Sequence, residues 1–172
     1  GANHPIRLSN SYLLEKNGWE GVSIDPLKKY INVWKEERGQ PFINYAIGKE
    51  ITVRNFVEFY GKESWYDMMS GFEDFIRPED LVSFDSKVYE VKVVPLDSII
   101  PFDSFELLLV DTEGAEMEVL EGIDLEKYKP KYVMLENAAA IGGLQSLRES
   151  MSVRGYNLIA RIGCADDLYE RS

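Results

Sequence analysis

Three acids stand within six residues of one another directly after an apolar run: Leu107-Leu-Leu-Val110 leads into Asp111, Glu113 and Glu116. A second run, Lys131-Tyr-Val-Met-Leu135, ends in Glu136-Asn137. A short apolar run bounded by a turn signal reads as a strand buried on both faces. Both sets of oxygens therefore fall just past the carboxyl ends of strands, where open α/β sheets take their ligands. Carboxylates there can accept a proton from a reacting hydroxyl. Asp111, Glu136 and Asn137 together also form an oxygen set of the kind that suits magnesium. The competing reading is electrostatic: acids at the start of a helix compensate its dipole. Glu116 and Glu118 read as a solvated helix face.

Three further stretches join this set. Gly1-Ala2-Asn3 forms a glycine loop ahead of a helix, where the backbone can approach a ligand closely. Asp25 follows a short strand some twenty residues later, placed to accept hydrogen bonds from ribose hydroxyls. Its alternative role is to cap the turn before Pro26. His4 is the only histidine, so any imidazole acid–base chemistry would have to use it. The alternative is a loop residue restrained by Pro5. The dinucleotide fingerprint G-x-G-x-x-G is absent, which counts against a nicotinamide enzyme.

The elements that must position these residues alternate. A helix is expected over Leu8–Asn17, capped by Ser9 or Asn10 and stopped by Gly18. A strand follows at Gly21–Ile24, a helix from Pro26 to Gly39, and a strand over Phe42–Ile47. Residues 49–95 break the rhythm, with strand composition at Ile51–Val53, Val57–Phe59 and Tyr89–Val94 around an aromatic stretch, Ser64–Phe75. That segment reads as an insertion, its Trp65, Tyr66, Phe72 and Phe75 either covering a ligand or capping the core. Alternation resumes with a strand at Phe105–Val110, a helix from Ala115 to Gly122 and a helical turn at Asp124–Tyr128. A strand follows at Lys131–Leu135, a loop at Ala138–Gly143, a helix carrying Leu144, Leu147 and Met151, and strands at Tyr156–Ile162 and Leu168–Tyr169. The pattern predicts an α/β chain with a doubly wound, mostly parallel sheet. No strand precedes Gly1, although a glycine loop of this kind normally follows one, so the natural protein is expected to extend further toward its amino terminus.

With 172 residues, 45% hydrophobic and 28% charged, the chain reads as a single globular domain. A formal net charge of -11 argues against nucleic acid or anionic membrane as partners, both of which need basic surface. The lone cysteine, Cys164, excludes an internal disulfide and fits a reducing, cytoplasmic setting. Composition does not set the oligomeric state.

Taken together, Gly1-Ala2-Asn3-His4-Pro5, Ser9-Asn-Ser-Tyr-Leu, Gly18-Trp-Glu-Gly21 and Ile24-Asp25-Pro26 resemble the cofactor half of FkbM-type methyltransferases. Val110-Asp-Thr-Glu-Gly-Ala-Glu116, Val119-Leu-Glu-Gly122, Lys129-Pro-Lys and Leu135-Glu136 resemble their second block. The resemblance implies a Rossmann-like class I methyltransferase fold that uses S-adenosylmethionine to methylate a hydroxyl of a sugar, glycan or secondary metabolite. By that analogy Gly1, Ala2, Asn3 and Ser9 line the cofactor, Asp25 holds the ribose, and Ala46 and Ile47 lie beside the adenine. Asp111 then stands near the sulfonium and the acceptor, with Glu113 and His4 as further catalytic candidates. A more distant likeness to catechol-type O-methyltransferases implies a magnesium held by Asp111, Glu136 and Asn137. Two other readings stand beside it: a binding module that keeps the fold without catalysis, and an oxidoreductase, which the missing fingerprint disfavours.

Overall fold

The computed structural model describes residues 1–137 and 144–172. The loop expected at Ala138–Gly143 lies outside the described residues. Helix α1 (Tyr12–Lys16) is shorter than expected, and its N-cap is Ser11 rather than Ser9 or Asn10. It ends at Gly18, whose positive φ of 85° lets Trp19 N–H return to the Leu14 carbonyl at 3.1 Å. Strand β1 (Ser23–Ile24) follows, then a turn of 3₁₀ helix at Lys28–Tyr30 that runs into α2 (Ile31–Glu37). The strand expected over Phe42–Ile47 is two strands, β2 (Phe42–Ile43) and β3 (Ala46–Ile47). The break is local: Tyr45 N–H turns back onto the Ile43 carbonyl, and the Asn44 amide donates to the Asp25 carbonyl at 2.9 Å.

Residues 49–95 are more regular than their sequence suggests. Strand β4 (Thr52–Tyr60), the short β5 (Gly71–Phe72), helix α3 (Pro78–Ser83) and strand β6 (Asp85–Val94) make up the segment. Strands β4 and β6 pair antiparallel from Thr52↔Val93 to Tyr60↔Asp85, so each supports the other along its whole length. Of its two expected roles, the aromatic stretch fills that of packing on the core. Phe72 is buried against Phe56, whereas Trp65 and Tyr66 pack edge-on against Phe84.

The remaining elements are β7 (Leu107–Val110), α4 (Glu116–Glu121), α5 (Leu125–Tyr128), β8 (Tyr132–Glu136), α6 (Gln145–Val153), β9 (Tyr156–Ile162) and β10 (Asp166–Arg171). Among the described residues the strands form three sheets, ordered β1-β2, β7-β8-β10-β9 and β3-β6-β4-β5. The α/β class is as expected; a mostly parallel sheet is not. Parallel pairing is confined to β1 with β2, β3 with β6, and β7 with β8. Of the antiparallel pairs, β9–β10 is a hairpin that turns at Gly163, φ 61°, whereas β8–β10 and β4–β6 are joined across intervening elements. One core cluster, around Val119, Leu135, Leu147 and Met151, supports β7 and β8. A second, around Leu27, Trp34, Phe56 and Val93, supports the glycine loop and the β4–β6 pair.

Candidate active site

The glycine loop is held from three sides. Ala2 N–H donates to the Ile24 carbonyl at 3.1 Å, and Asn3 N–H donates to Asp25 Oδ2 at 2.9 Å. From behind, the buried Trp34 donates Nε1–H to the Asn3 carbonyl at 2.8 Å. Gly1 lies so close to the end of β7 that a Cβ there would sit 2.2 Å from the Asp111 carbonyl oxygen. No side chain fits, which is the physical requirement for glycine at this point. The loop thus joins the carboxyl ends of β1 and β7.

Asp25 does the work of a cap: Oδ1 accepts from Leu27 N–H at 2.8 Å while Oδ2 holds Asn3. Each carboxylate oxygen has a second lone pair, so acceptor capacity remains. Asp25, Gly1, Ala2, Asn3, Ser9, Ala46, Ile47, Asp111 and Glu113 all border one cavity of about 550 Å³. Ser9 reaches it from a polar cluster in which its Oγ lies 3.4 Å from both Ser11 Oγ and Arg38 Nη1. The far wall is built by Asp67, Met68, Ser70 and Phe72 from the aromatic excursion.

At the floor of this end, Asp111, Glu113 and Glu136 each offer a carboxylate oxygen within 4.8 Å of the others. Burial raises all three above the ordinary carboxylate range, and for Glu113 and Glu136 repulsion within the cluster adds to it. Glu136 is pushed up to about 9, by burial first and then by Glu113 and Asp111. Glu113 is pushed up to about 8, by burial first and then by Asp111 and Glu116. For Asp111 burial is again the main cause, with repulsion from Asp166 and Glu116 adding to it and a hydrogen bond with Glu136 partly offsetting it. The raised values of Glu136 and Glu113 mean that the cluster as a whole retains protons at neutral pH, with Glu136 placed to share one with Asp111. Three carboxylates are also a donor set of the type a hard cation takes; proton sharing neutralises them as well.

Several expected members belong elsewhere. Asn137 is not part of the oxygen cluster: its Oδ1 accepts from Leu144 N–H, and its amide donates to Asp167 Oδ2 at 2.8 Å. It serves the start of α6, and Glu113 takes its place among the acids. His4 lies outside the cavity lining. Its Nδ1 accepts from the Ile6 and Arg7 amides at 3.2 and 3.1 Å, and its ring meets Tyr30 edge-on. Burial and the nearby Arg7 cation lower its pKa, so it is a neutral loop-stabilising imidazole. Glu116 is not a surface residue. It is buried, and its Oε1 accepts from Thr112 N–H, Thr112 Oγ1 and Gly114 N–H, which fixes the turn that carries Glu113.

Asp67 was missed by the sequence. Its carboxylate takes Tyr30 Oη–H, Arg7 at 2.9 Å and Lys29 at 2.7 Å, and its carbonyl accepts from the Asn3 amide. It pins the excursion to the glycine loop. An acid in an aromatic, irregular segment carries no periodicity that would single it out.

The family model for the methyltransferase FkbM domain matches residues 1–158, and the chain belongs to that family. Neither a curated protein nor a solved structure matches the chain. The resemblance drawn from the motifs is therefore shown at the level of the family, and with it a methyltransferase domain. Among the described residues, no helix is long and apolar enough to cross a membrane.

Proposed function

We propose that this domain transfers the methyl group of S-adenosylmethionine to a hydroxyl oxygen of a small-molecule or carbohydrate acceptor, on a Rossmann-like class I framework. The observation that carries the reading is the cluster of Asp111, Glu113 and Glu136, of which Asp111 and Glu113 border the cavity that the glycine loop lines. The cavity is of the size of small-ligand sites. S-adenosylmethionine, when bound, supplies a methyl group already activated by its sulfonium. What the protein must add is alignment and a place for the acceptor's proton. Gly1 to Asn3 and Asp25 hold the donor's ribose and methionine end, and Ala46 and Ile47 offer an apolar wall for its base. Asp111 accepts the proton that the acceptor oxygen gives up as its bond to carbon forms. Glu136, protonated, keeps Asp111 oriented and lowers the charge of the cluster. Ser70 and Phe72 bound the acceptor side. The acidic net charge of -11 supports a small acceptor over nucleic acid.

The test is calorimetric titration with S-adenosylmethionine, its demethylated product and NAD, followed by labelled methyl transfer to a panel of hydroxyl acceptors. Binding of NAD without binding of the methyl donor would remove the reading. Because proton sharing already neutralises the three acids, turnover should persist after exhaustive chelation. Its loss, restored by magnesium, would reassign Asp111, Glu113 and Glu136 as ligands of a cation.

A further inference from the structure

Among the described residues, one buried polar side-chain atom has no hydrogen-bond partner: Nε of Arg7. Such an atom costs folding free energy and asks for an explanation. A guanidinium has five N–H donors, and Arg7 uses only the two on Nη2. That nitrogen donates to Asp67 Oδ1 at 2.9 Å and to Tyr30 Oη at 3.2 Å. Nη1 makes no hydrogen bond to the described residues, and unlike Nε it is open. Asp67 does not need Arg7 to balance its charge, because Lys29 Nζ lies 2.7 Å from Oδ2 and Tyr30 Oη–H donates to the same oxygen. Yet the loop is shaped to hold Arg7 in place. The backbone is left-handed at Asn3 and again at Leu8, φ 45° and 52°, and between them His4 Nδ1 accepts from the Arg7 amide at 3.1 Å. Non-glycine residues in that conformation carry strain of the kind found at ligand clamps.

We infer that Arg7 recognises an anionic group, carboxylate or phosphate, on the acceptor, which is therefore a hydroxy acid or a phosphorylated hydroxyl compound. The inference rests on the methyl-transfer reading above. Arg7 borders the cavity together with Asp67, Met68, Ser70 and Phe72, the wall on the acceptor side. Its side chain is 28% exposed, so a ligand can reach it. Its charge is not cancelled locally: Arg7, Lys29 and Lys87 share the carboxylates of Asp67 and Glu58, three cations to two anions. This positive excess lies in a chain of net charge -11. Tyr30 and Asp67 together hold Nη2, which fixes the plane of the guanidinium and with it the direction of the unused Nη1 donors. An anion that meets donors already ordered gains a charge-assisted hydrogen bond without the cost of freezing a long side chain.

The experiment uses the 172-residue chain saturated with S-adenosylhomocysteine, the demethylated donor, so that the acceptor side alone is free. The Arg7 guanidinium and the Met68 and Ser70 amides are followed by magnetic resonance during titration with lactate, glycerol phosphate and glycerol. One or both anions should shift these signals saturably and bind at least about tenfold more tightly than glycerol. Arg7→Gln should lose that preference, whereas Arg7→Lys, which keeps a cation beside Asp67, should keep part of it. Should Arg7→Gln not fold, the unaltered chain and Arg7→Lys decide the matter. No shift with either anion, equal binding of glycerol, or an unchanged preference in Arg7→Gln would overturn the inference. Calorimetry with S-adenosylhomocysteine and with methylthioadenosine, which lacks the amino-acid carboxylate, tests the other source of an anion. A loss of affinity in Arg7→Gln for the first and not the second would give Arg7 to the donor's carboxylate and also overturn it. Failure of S-adenosylhomocysteine to bind the unaltered chain removes the methyl-transfer reading and this inference with it. Its binding without an anion preference removes this inference alone.

Discussion

Replacing Glu136 by Gln should stabilise the protein at neutral pH while leaving the geometry of the acid cluster in place. Glu136 titrates from an ordinary value of 4.5 up to about 9 in the folded chain, because burial and the charges of Glu113 and Asp111 oppose its ionisation. A folded value above the unfolded one means that the folded state holds the proton more tightly. That contribution is fully present below pH 4.5 and is lost as pH rises through about 9. At pH 7 the unfolded chain has released the proton and the folded chain has not. At 1.36 kcal/mol per pKa unit, the deficit is at most about 3 kcal/mol. Glu136 is partly open to solvent, which screens the repulsion, and Asp111 and Glu113 share it. About 1–2 kcal/mol is then the working figure, or roughly 2–8 °C for a chain of this size. Glutamine keeps an N–H to donate to Asp111 and carries no charge at any pH. Melting curves of the two proteins should nearly coincide at pH 4.5 and separate progressively toward pH 9, with the Gln variant the more stable. A Gln variant that is less stable at pH 7, or a difference independent of pH, would refute the proton-sharing account.

Three other substitutions separate the roles assigned above. Asp111→Asn should lower turnover by at least about a hundredfold, with donor affinity by calorimetry within about threefold; equal losses in both would make Asp111 a binding residue only. Asp25→Ala should weaken donor binding and also lower stability by about 1–3 kcal/mol, because two backbone amides lose their acceptor; a loss of stability alone would confine Asp25 to its turn. Asp167→Asn should cost about 2–3 kcal/mol in denaturant unfolding, since Arg148 and Arg161 lose a shared buried partner but remain partly solvated. For Asp167, burial opposes ionisation, but hydrogen bonds from Arg148, Asn137 and Arg161 outweigh it and hold the carboxyl near 2. Its contribution is present above pH 3.8 and lost as pH falls toward 2, so the two proteins' stabilities should converge there.

The framework was legible where a physical constraint acts over a few neighbouring residues. Leu107–Val110 and Lys131–Leu135 declared themselves as strands, though only Val110, Val133 and Leu135 in them are buried, and β9 lies where Tyr156–Ile162 was expected. Gly1 was legible as a close approach. The failures lie where the deciding contact is distant in sequence. Nothing local distinguishes Phe42–Ile47 as one strand from two; the break is set by Asn44 reaching Asp25. Strand content in residues 49–95 was underestimated because β4 and β6 are stabilised by pairing with each other more than by pattern. Asn137 has the right chemistry for a ligand and the right place in the chain. Its direction is set by Asp167, thirty residues further on.

The same cause explains why the two acids that hold the site together were not recognised. Asn3 and Glu113 both adopt left-handed backbone, at φ 45° and 54°. A non-glycine residue pays on the order of 1 kcal/mol for that conformation, so the surroundings must overdetermine it. At Asn3 the restraint comes from Asp67, whose carbonyl takes the side-chain amide, and from Asp25, which takes the backbone N–H. At Glu113 it comes from Glu116, which holds the amides of Thr112 and Gly114 on either side. Each strained residue presents its neighbours to the cavity: Asn3 brings Gly1 and Ala2, and Glu113 stands beside Asp111. Asp67 borders the cavity's far wall and Glu116 lies outside its lining, and together they fix the two turns between which the proposed reaction occurs. Their exchange for alanine should therefore release both turns and act on binding and turnover together, where Asp111→Asn acts on turnover alone.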